Sequence, residues 1–402
     1  MVIKTLFLVF ILIIPTMLMS SPVYWVPHII GDLYTCWQIF PIDFDQDGDM
    51  DVLGTSTWGA DEVTTGSDGE VAWWENSGNN INFTQHYFTQ TFKGASDVWA
   101  GDFDGDLDYD MVAVSLDSGM SWWENDGSMG FTRHILETGH KIYDLSVIDL
   151  DEDGDLDLII ANRSVLTDTA DIIWYEQDSL PTYFTEHAIT STWAGAESIF
   201  PIDLDGDGDI DLVACSHSRG EVGWGENDGL ENFTLHILES SADSARKVWG
   251  GDIDGDGDND ILSTAQWDGD IIYFINTDGA GTFAKHYING SPMDAPWDIM
   301  GGDIDGDGDI DIAVTDYGPF SLLGNDTTAI DVGDKIFWFE KVDTFYYPHI
   351  VVTEFNGAKS VKIIDFDYDG DPDIVGSACW EHQIWWFEQR QKPPYSTWMR
   401  RR

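Results

Sequence analysis

Residues 203–211 read DLDGDGDID, five carboxylates in nine positions with a glycine at the sixth. The same pattern, Asp-x-Asp-x-Asp-Gly-Asp-x-Asp, begins at Asp43, Asp149, Asp203, Asp252, Asp303 and Asp365, and a variant copy, DFDGDLDYD, begins at Asp102. Successive copies start 59, 47, 54, 49, 51 and 62 residues apart, a period that marks a repeat architecture. Each copy runs into an aliphatic pair, such as Val52-Leu53, Leu158-Ile159 or Ile374-Val375. After a turn of variable length comes a strand with paired aromatics: WWEN at Trp73 and Trp122, WYEQ at Trp174, WGEN at Trp224, YFIN at Tyr273, WFEK at Trp338 and WFEQ at Trp386. A last strand follows the form F-T-x-H-x-aliphatic, as in Phe83–Phe88, Phe131–Leu136, Phe184–Ile189 and Phe233–Leu238.

Four short strands joined by turns make one blade of a β-propeller, and no stretch shows helical periodicity. The last strand's histidine fixes the count and the closure. It occurs at His86, His134, His187, His236, His286 and His349, and a seventh, His28, precedes the first acidic motif. The C-terminal unit ends at WFEQ with no such strand after it. Residues about 23–30 are therefore expected to pair with the last blade and close the ring, which removes open sheet edges. The expectation is an all-β, seven-bladed propeller over residues 22–390. Recurrence in every unit marks the histidines and the paired aromatics as structural, the latter as blade-to-blade packing.

The rest of the 402-residue composition agrees with a large folded domain. The formal net charge is −56, from 74 Asp plus Glu against 18 Lys plus Arg, yet 43% of residues are hydrophobic and 19 are Trp. Such a surface excludes nucleic acid and anionic membrane as whole-surface partners, since phosphate binding draws on clustered Lys and Arg. Three scattered cysteines, Cys36, Cys215 and Cys379, supply neither a disulfide framework nor a C-x-x-C site. Residues 1–20 differ in kind: Lys4, an apolar run from Thr5 to Met19, then Ser20 and Ser21. A basic head, a short apolar run interrupted by Pro15 and small residues after it read as a cleaved secretory signal, not a spanning anchor. The mature protein is expected to be secreted and monomeric, with no membrane span. Residues 391–402 are an extraneous basic tail. Five N-x-S/T sequons stand at Asn82, Asn162, Asn232, Asn289 and Asn325.

The acidic motif flanked by aliphatic strands, seven times over, resembles the FG-GAP/VCBS repeat family, whose members include the propeller of integrin α subunits and several secreted lectins. The resemblance covers residues of about 22–390. It implies fold far more than activity, because one fold carries many functions.

Five carboxylates in nine residues repel one another unless a cation sits among them, and an oxygen-only set suits Ca²⁺ before Mg²⁺. Positions 1, 3, 5 and 9 offer side-chain oxygens, position 7 a backbone carbonyl, and Gly at position 6 permits the turn. The candidate ligands are thus Asp43, Asp45, Asp47, Asp49 and Asp51 in the first loop. The second loop offers Asp102, Asp104, Asp106, Asp108 and Asp110, and the third Asp149, Asp151, Asp153, Asp155 and Asp157. The fourth offers Asp203, Asp205, Asp207, Asp209 and Asp211, and the fifth Asp252, Asp254, Asp256, Asp258 and Asp260. The last two hold Asp303, Asp305, Asp307, Asp309 and Asp311, then Asp365, Asp367, Asp369, Asp371 and Asp373. An EF-hand is excluded, because position 12 holds Gly54, Ala113, Ile160, Ala214, Ser263, Val314 and Gly376, where it needs Glu. The role expected of these ions is structural. Leu107 in place of glycine makes the Asp102 loop the weakest of up to seven sites.

Function should sit where the repeats differ. The strand leading into each acidic loop is the innermost, so residues just before it ring the central channel. Six residues before each loop stand Trp37, Ser96, Tyr143, Glu197, Arg246, Trp297 and Lys359. Five before stand Gln38, Asp97, Asp144, Ser198, Lys247, Asp298 and Ser360. Of these, Trp37, Tyr143, Glu197, Arg246, Lys247, Trp297 and Lys359 are the candidate ligand-binding residues. The face opposite the acidic loops also gathers Lys93, Lys141, Arg163 and Arg219, the long inserts Gly54–Glu70 and Asp316–Asp334, and Trp58, Trp193, Trp267 and Trp380. Aromatic platforms beside a few cations, in an otherwise acidic protein, suggest an acidic or neutral glycan.

The leading expectation is a calcium-stabilised binding or adhesion module for a glycan or an extracellular protein. The alternative is a carbohydrate-active enzyme of the polysaccharide lyase or sugar dehydratase kind, with its site in the funnel. That reading draws on Tyr143, Glu197, Arg246, Lys247, Lys359 and His382, with His140 and His217 nearby, but no spacing singles out a triad or a carboxylate pair.

Overall fold

In the first repeat the acidic loop turns the chain from Cys36–Ile42 into Asp51–Ser56, and Glu70–Asn76 and Phe83–Thr89 complete a four-stranded antiparallel sheet in that order. Six more sheets follow the same plan, so the computed structural model is a seven-bladed propeller without helices among its described residues. Those are residues 23–57, 69–78, 80–163, 171–177, 184–190, 193–288, 293–318 and 334–391. The signal-like segment, the tail past 391, Trp58, most of both long inserts, Asn289 and Asn325 lie outside them.

The burial of each strand follows from its place in the blade. The second strand of all seven blades is buried at every position, which is why it reads as an unbroken run such as Asp-Met-Val-Ala-Val-Ser at 110–115. The outer strand is half-exposed and alternates polar with apolar residues. The core therefore lies between blades. Trp224 of the fourth blade packs with Ile272 and Phe274 of the fifth, and Trp74 of the first with Val375 and Trp386 of the last. Ring closure is as expected: Val23–Asp32 is the outer strand of the last blade, paired antiparallel from Val23↔Gln391 to Asp32↔Gln383.

The repeated histidines are structural. His28, His86, His134, His187, His236 and His349 each lie against the tryptophan beside them, with ring centroids 4.5–4.8 Å apart. Each also meets a glutamate of its neighbour strand at 2.6–3.1 Å: Glu388, Glu75, Glu124, Glu176, Glu226 and Glu340. In the fifth blade Ile275 stands at the glutamate position, and His286 only stacks on Tyr273. One surface expectation needs correction. Trp193 is 1% exposed and fills the core between the third and fourth blades, so it offers no platform. Asn162 is fully buried at a strand end, so that sequon is closed to modification in the folded chain.

Candidate functional site

The acidic loops share one hydrogen-bond plan. In the first, Asp43 Oδ2 accepts from Gly48 N at 3.1 Å, Asp45 Oδ1 from Asp47 N at 3.2 Å, and Asp47 Oδ1 from Asp49 N at 3.1 Å. Asp51 points back into the blade, where it accepts from Phe44 N at 3.1 Å and Asn76 N at 2.7 Å. The ninth position thus straps the loop to the third strand, and it is almost fully buried in all seven blades. Oxygens of positions 1, 3 and 9 lie within 4.8 Å of one another in the loops starting at Asp43, Asp149, Asp203 and Asp252. In the Asp102 loop the cluster is instead Asp102, Asp104 and Asp106.

These residues fit a hard divalent cation. The ninth-position carboxylates form no ion pair with a lysine, arginine or histidine among the described residues. Burial, the largest cause, pushes Asp51, Asp110, Asp211, Asp311 and Asp373 up to about 7, and Asp157 and Asp260 to about 6. One oxygen each of Asp43, Asp149 and Asp365 is buried with no hydrogen-bond partner. Unpaired buried carboxylate oxygens facing one another call for a positive charge between them.

Two positions in each loop are left-handed, where the sequence pattern shows one. The sixth holds glycine at φ 94–102° in six loops and Leu107 at φ 77° in the variant. The fourth is also left-handed throughout: Gln46, Gly105, Glu152, Gly206, Gly255, Gly306 and Tyr368. Gly105 is therefore in its own place, and the variant's fault is Leu107 alone. Leu107 is 78% exposed, so no packing offsets its strain. Leu107→Gly should stabilise the protein by about 1 kcal/mol, read by denaturant titration in calcium and in chelator.

On the opposite face the channel residues converge as expected. Trp37, Ser96, Tyr143, Glu197, Arg246, Trp297 and Lys359 line one small cavity of about 30 Å³, together with Gln38, Asp144, Lys247 and Asp298 from the next tier. Consecutive strand residues normally point to opposite sides. Here all seven inner strands carry a register shift at these positions, as between Cys36 and Ile39 or Ile142 and Asp144. Such a bulge re-aims side chains, and it lets Trp37 with Gln38, or Arg246 with Lys247, both face the channel.

The two tiers do different work. In the upper one Glu197, 6% exposed, takes Arg246 at 2.6 Å and Arg163 at 3.2 Å. Arg163 lies over Tyr143 and Arg246 over Trp297, at 4.7 and 4.2 Å from the ring centroids. Arg163 also donates to His217 Nδ1 at 3.1 Å. Burial first, then Arg246 and Arg163, push His217 down to about 3, so it stays neutral. In the lower tier the carboxylates latch blade to blade. Asp97 accepts from Leu145 N, Asp144 from Ser198 Oγ and Ile199 N, and Asp298 from Ser360 Oγ and Val361 N, at 2.9–3.1 Å. Lys247, expected as a ligand residue, bonds Asp144 and so joins the third, fourth and fifth blades. Below this polar belt lies a largely apolar chamber of about 310 Å³ walled by Phe40, Trp99, Phe200, Trp249 and Met300.

Of three further aromatics on this face, Trp267 and Trp380 were read from the sequence and Tyr317 was not. Tyr317 follows a second strand and stands 5.0 Å from Trp297, and Trp380, 59% exposed, lies 6.1 Å beyond it. Trp267, also 59% exposed, meets His217 edge-on at 5.8 Å. Tyr317 stands directly after the second strand, where the other repeats hold Thr57, Leu116, Arg163, His217, Gln266 and Cys379.

A seven-bladed propeller with acidic loops on one face and an aromatic, cation-bearing funnel on the other has the form of a binding module. The FG-GAP-like repeat profile matches residues 102–160, 203–263 and 252–314. The chain carries FG-GAP-like repeats, as its acidic loops lead one to expect. No curated protein matches it. Among solved structures, one similar chain comes from the crystal structure of BBS1N in complex with ARL6DN, soaked with lead. The two are 10% identical with a TM-score of 0.54, over 92% of this chain and 97% of that one, a likeness of fold. No helix of the described residues is long and apolar enough to cross a membrane.

Proposed function

We propose that this protein is a secreted binding module, its blades pinned by calcium in the acidic loops, which holds a glycan on the face opposite those loops. The observation that carries the reading is the upper tier. Trp37, Tyr143 and Trp297 share a small cavity with Arg246 and Lys359, while Trp267 and Trp380 stand exposed in the turns of the same face. Aromatic faces suit the C–H faces of sugar rings, and convergent polar groups in a concavity fix orientation. The charge also favours this face over the other, since a chain of net charge −56 collects its few cations here. Calcium fits secretion, where millimolar free ion suits sites with Kd of about 10⁻⁴–10⁻³ M.

A glycan array probed with the full chain in calcium tests the reading, followed by product analysis on every glycan retained. Retention without turnover supports it. New unsaturated ends absorbing in the ultraviolet would replace it with a lyase, and an array with no retained glycan would remove the glycan altogether.

A further inference from the structure

Among the described residues, the cations of the channel are answered by carboxylates, with one exception. Glu197 takes two arginines, Lys247 takes Asp144, and Lys362 lies 3.6 Å from Asp298. Lys359 is 2% exposed, and its ammonium has no hydrogen-bond or ion-pair partner among the described residues. Three rings surround it instead: Trp297, Trp37 and Tyr317, with centroids 3.1, 3.5 and 4.8 Å from Nζ. Aromatic faces attract a cation but accept none of its hydrogen bonds as an oxygen would, so three N–H donors stay unanswered at the cavity wall. A methionine would fill the same space without that cost, so packing alone does not explain a lysine here.

The cavity limits what can answer it. Its other cations, Arg246 and Lys247, are already held by Glu197 and Asp144, so an entering group answers Lys359 alone, and a small anionic head such as a carboxylate does so. With Arg163, Arg246 and Lys359 against Glu197, the upper tier is a cationic spot in an anionic protein. Above it, Tyr317 leads from Lys359 to the exposed ring of Trp380.

We propose that Lys359 is the anchor for a carboxylate borne by an acidic sugar: the carboxylate enters the upper tier and accepts from the ammonium, while the sugar ring stays outside on Trp380. This rests on the glycan reading above and names the sugar class. Burial, with Arg246 beside it, holds Lys359 well below the usual lysine range, so an entering anion supplies what favours its charged form.

The test titrates the full chain, in calcium, with a glucuronate-containing tetrasaccharide, its carboxyl-reduced counterpart and sodium acetate, read by calorimetry and tryptophan fluorescence. The acidic tetrasaccharide should bind about tenfold tighter than the reduced one, the worth of one charge-assisted hydrogen bond. Acetate should bind far more weakly than either, since it lacks the ring. Lys359→Met should erase the acidic preference without lowering the melting temperature. Trp380→Ala should weaken both sugars alike. Equal binding of the two sugars by the unaltered chain, or a preference that survives Lys359→Met, overturns the anchor and leaves the glycan reading standing. Acetate binding as tight as the acidic sugar makes the tier a bare anion site and overturns the proposal, and no binding of either sugar overturns both readings.

Discussion

Removing divalent cations with a chelator should lower the melting temperature by about 12–24 °C relative to the protein in 10 mM calcium. At sites of Kd about 10⁻⁴–10⁻³ M, that concentration stabilises each by about 1.4–2.7 kcal/mol through mass action. Seven sites then contribute about 10–19 kcal/mol, against an unfolding entropy of about 0.8 kcal/mol per kelvin for roughly 370 residues. Without the ions each loop keeps five carboxylates a few ångströms apart, and the net charge of −56 adds self-repulsion. Added sodium chloride should recover only part of the loss, because salt screens the exposed charges and cannot replace an ion held among buried oxygens. The pH dependence should also invert. In the chelated protein the ninth-position aspartates lie above their unfolded range, so the folded state binds more protons and stability falls as pH rises from about 4 to 7. In calcium those groups are ionised in the folded state, and stability falls with acidification instead.

The second large effect should follow Asp144→Ala. Its carboxylate accepts from Ser198 Oγ, Ile199 N and Lys247, so one side chain in the third blade ties the fourth and the fifth. Truncation takes the hydrogen-bonded partner from the part-buried Lys247 ammonium and leaves the Ile199 N–H without its acceptor, and breaking a pair of this kind costs about 3 kcal/mol or more. Over a domain this size that is a fall of about 4 °C or more in melting temperature. The double variant with Lys247→Met should recover much of the loss, because it removes the stranded charge. Were the single and double variants equally destabilised, the blade latch would not depend on the charge pair. Asp144→Asn should cost less than Asp144→Ala, since the amide oxygen still accepts from the fourth blade.

The repeat was legible because it is local. Nine residues specify their own turn, and the buried second strand must follow as an apolar run. Ring closure was legible through one misplaced histidine, since His28 has no acidic loop before it and Trp386 otherwise lacks its stacking partner. The channel ring was read by alignment, and all seven upper-tier positions do line one cavity. What the alignment could not tell was which ring residues face a ligand and which answer one another. Lys247 and Lys359 look alike as residues five and six before a loop. Only the fold shows that Lys247 meets Asp144, 103 residues away, while Lys359 meets rings from the first and sixth blades. The bulge that aims both tiers inward is a matter of register, and no residue type marks it. Trp193 failed for a related reason: a tryptophan just before an inner strand either caps the core or crowns the face, and its composition is the same in both.

The most direct measurement is a count of bound calcium on the full chain, by equilibrium dialysis with labelled ion after complete chelation. The account predicts seven ions per chain at saturation, one of them released before the others and retained longer in Leu107→Gly. A chain that folds to the same melting temperature with none or one bound would contradict it.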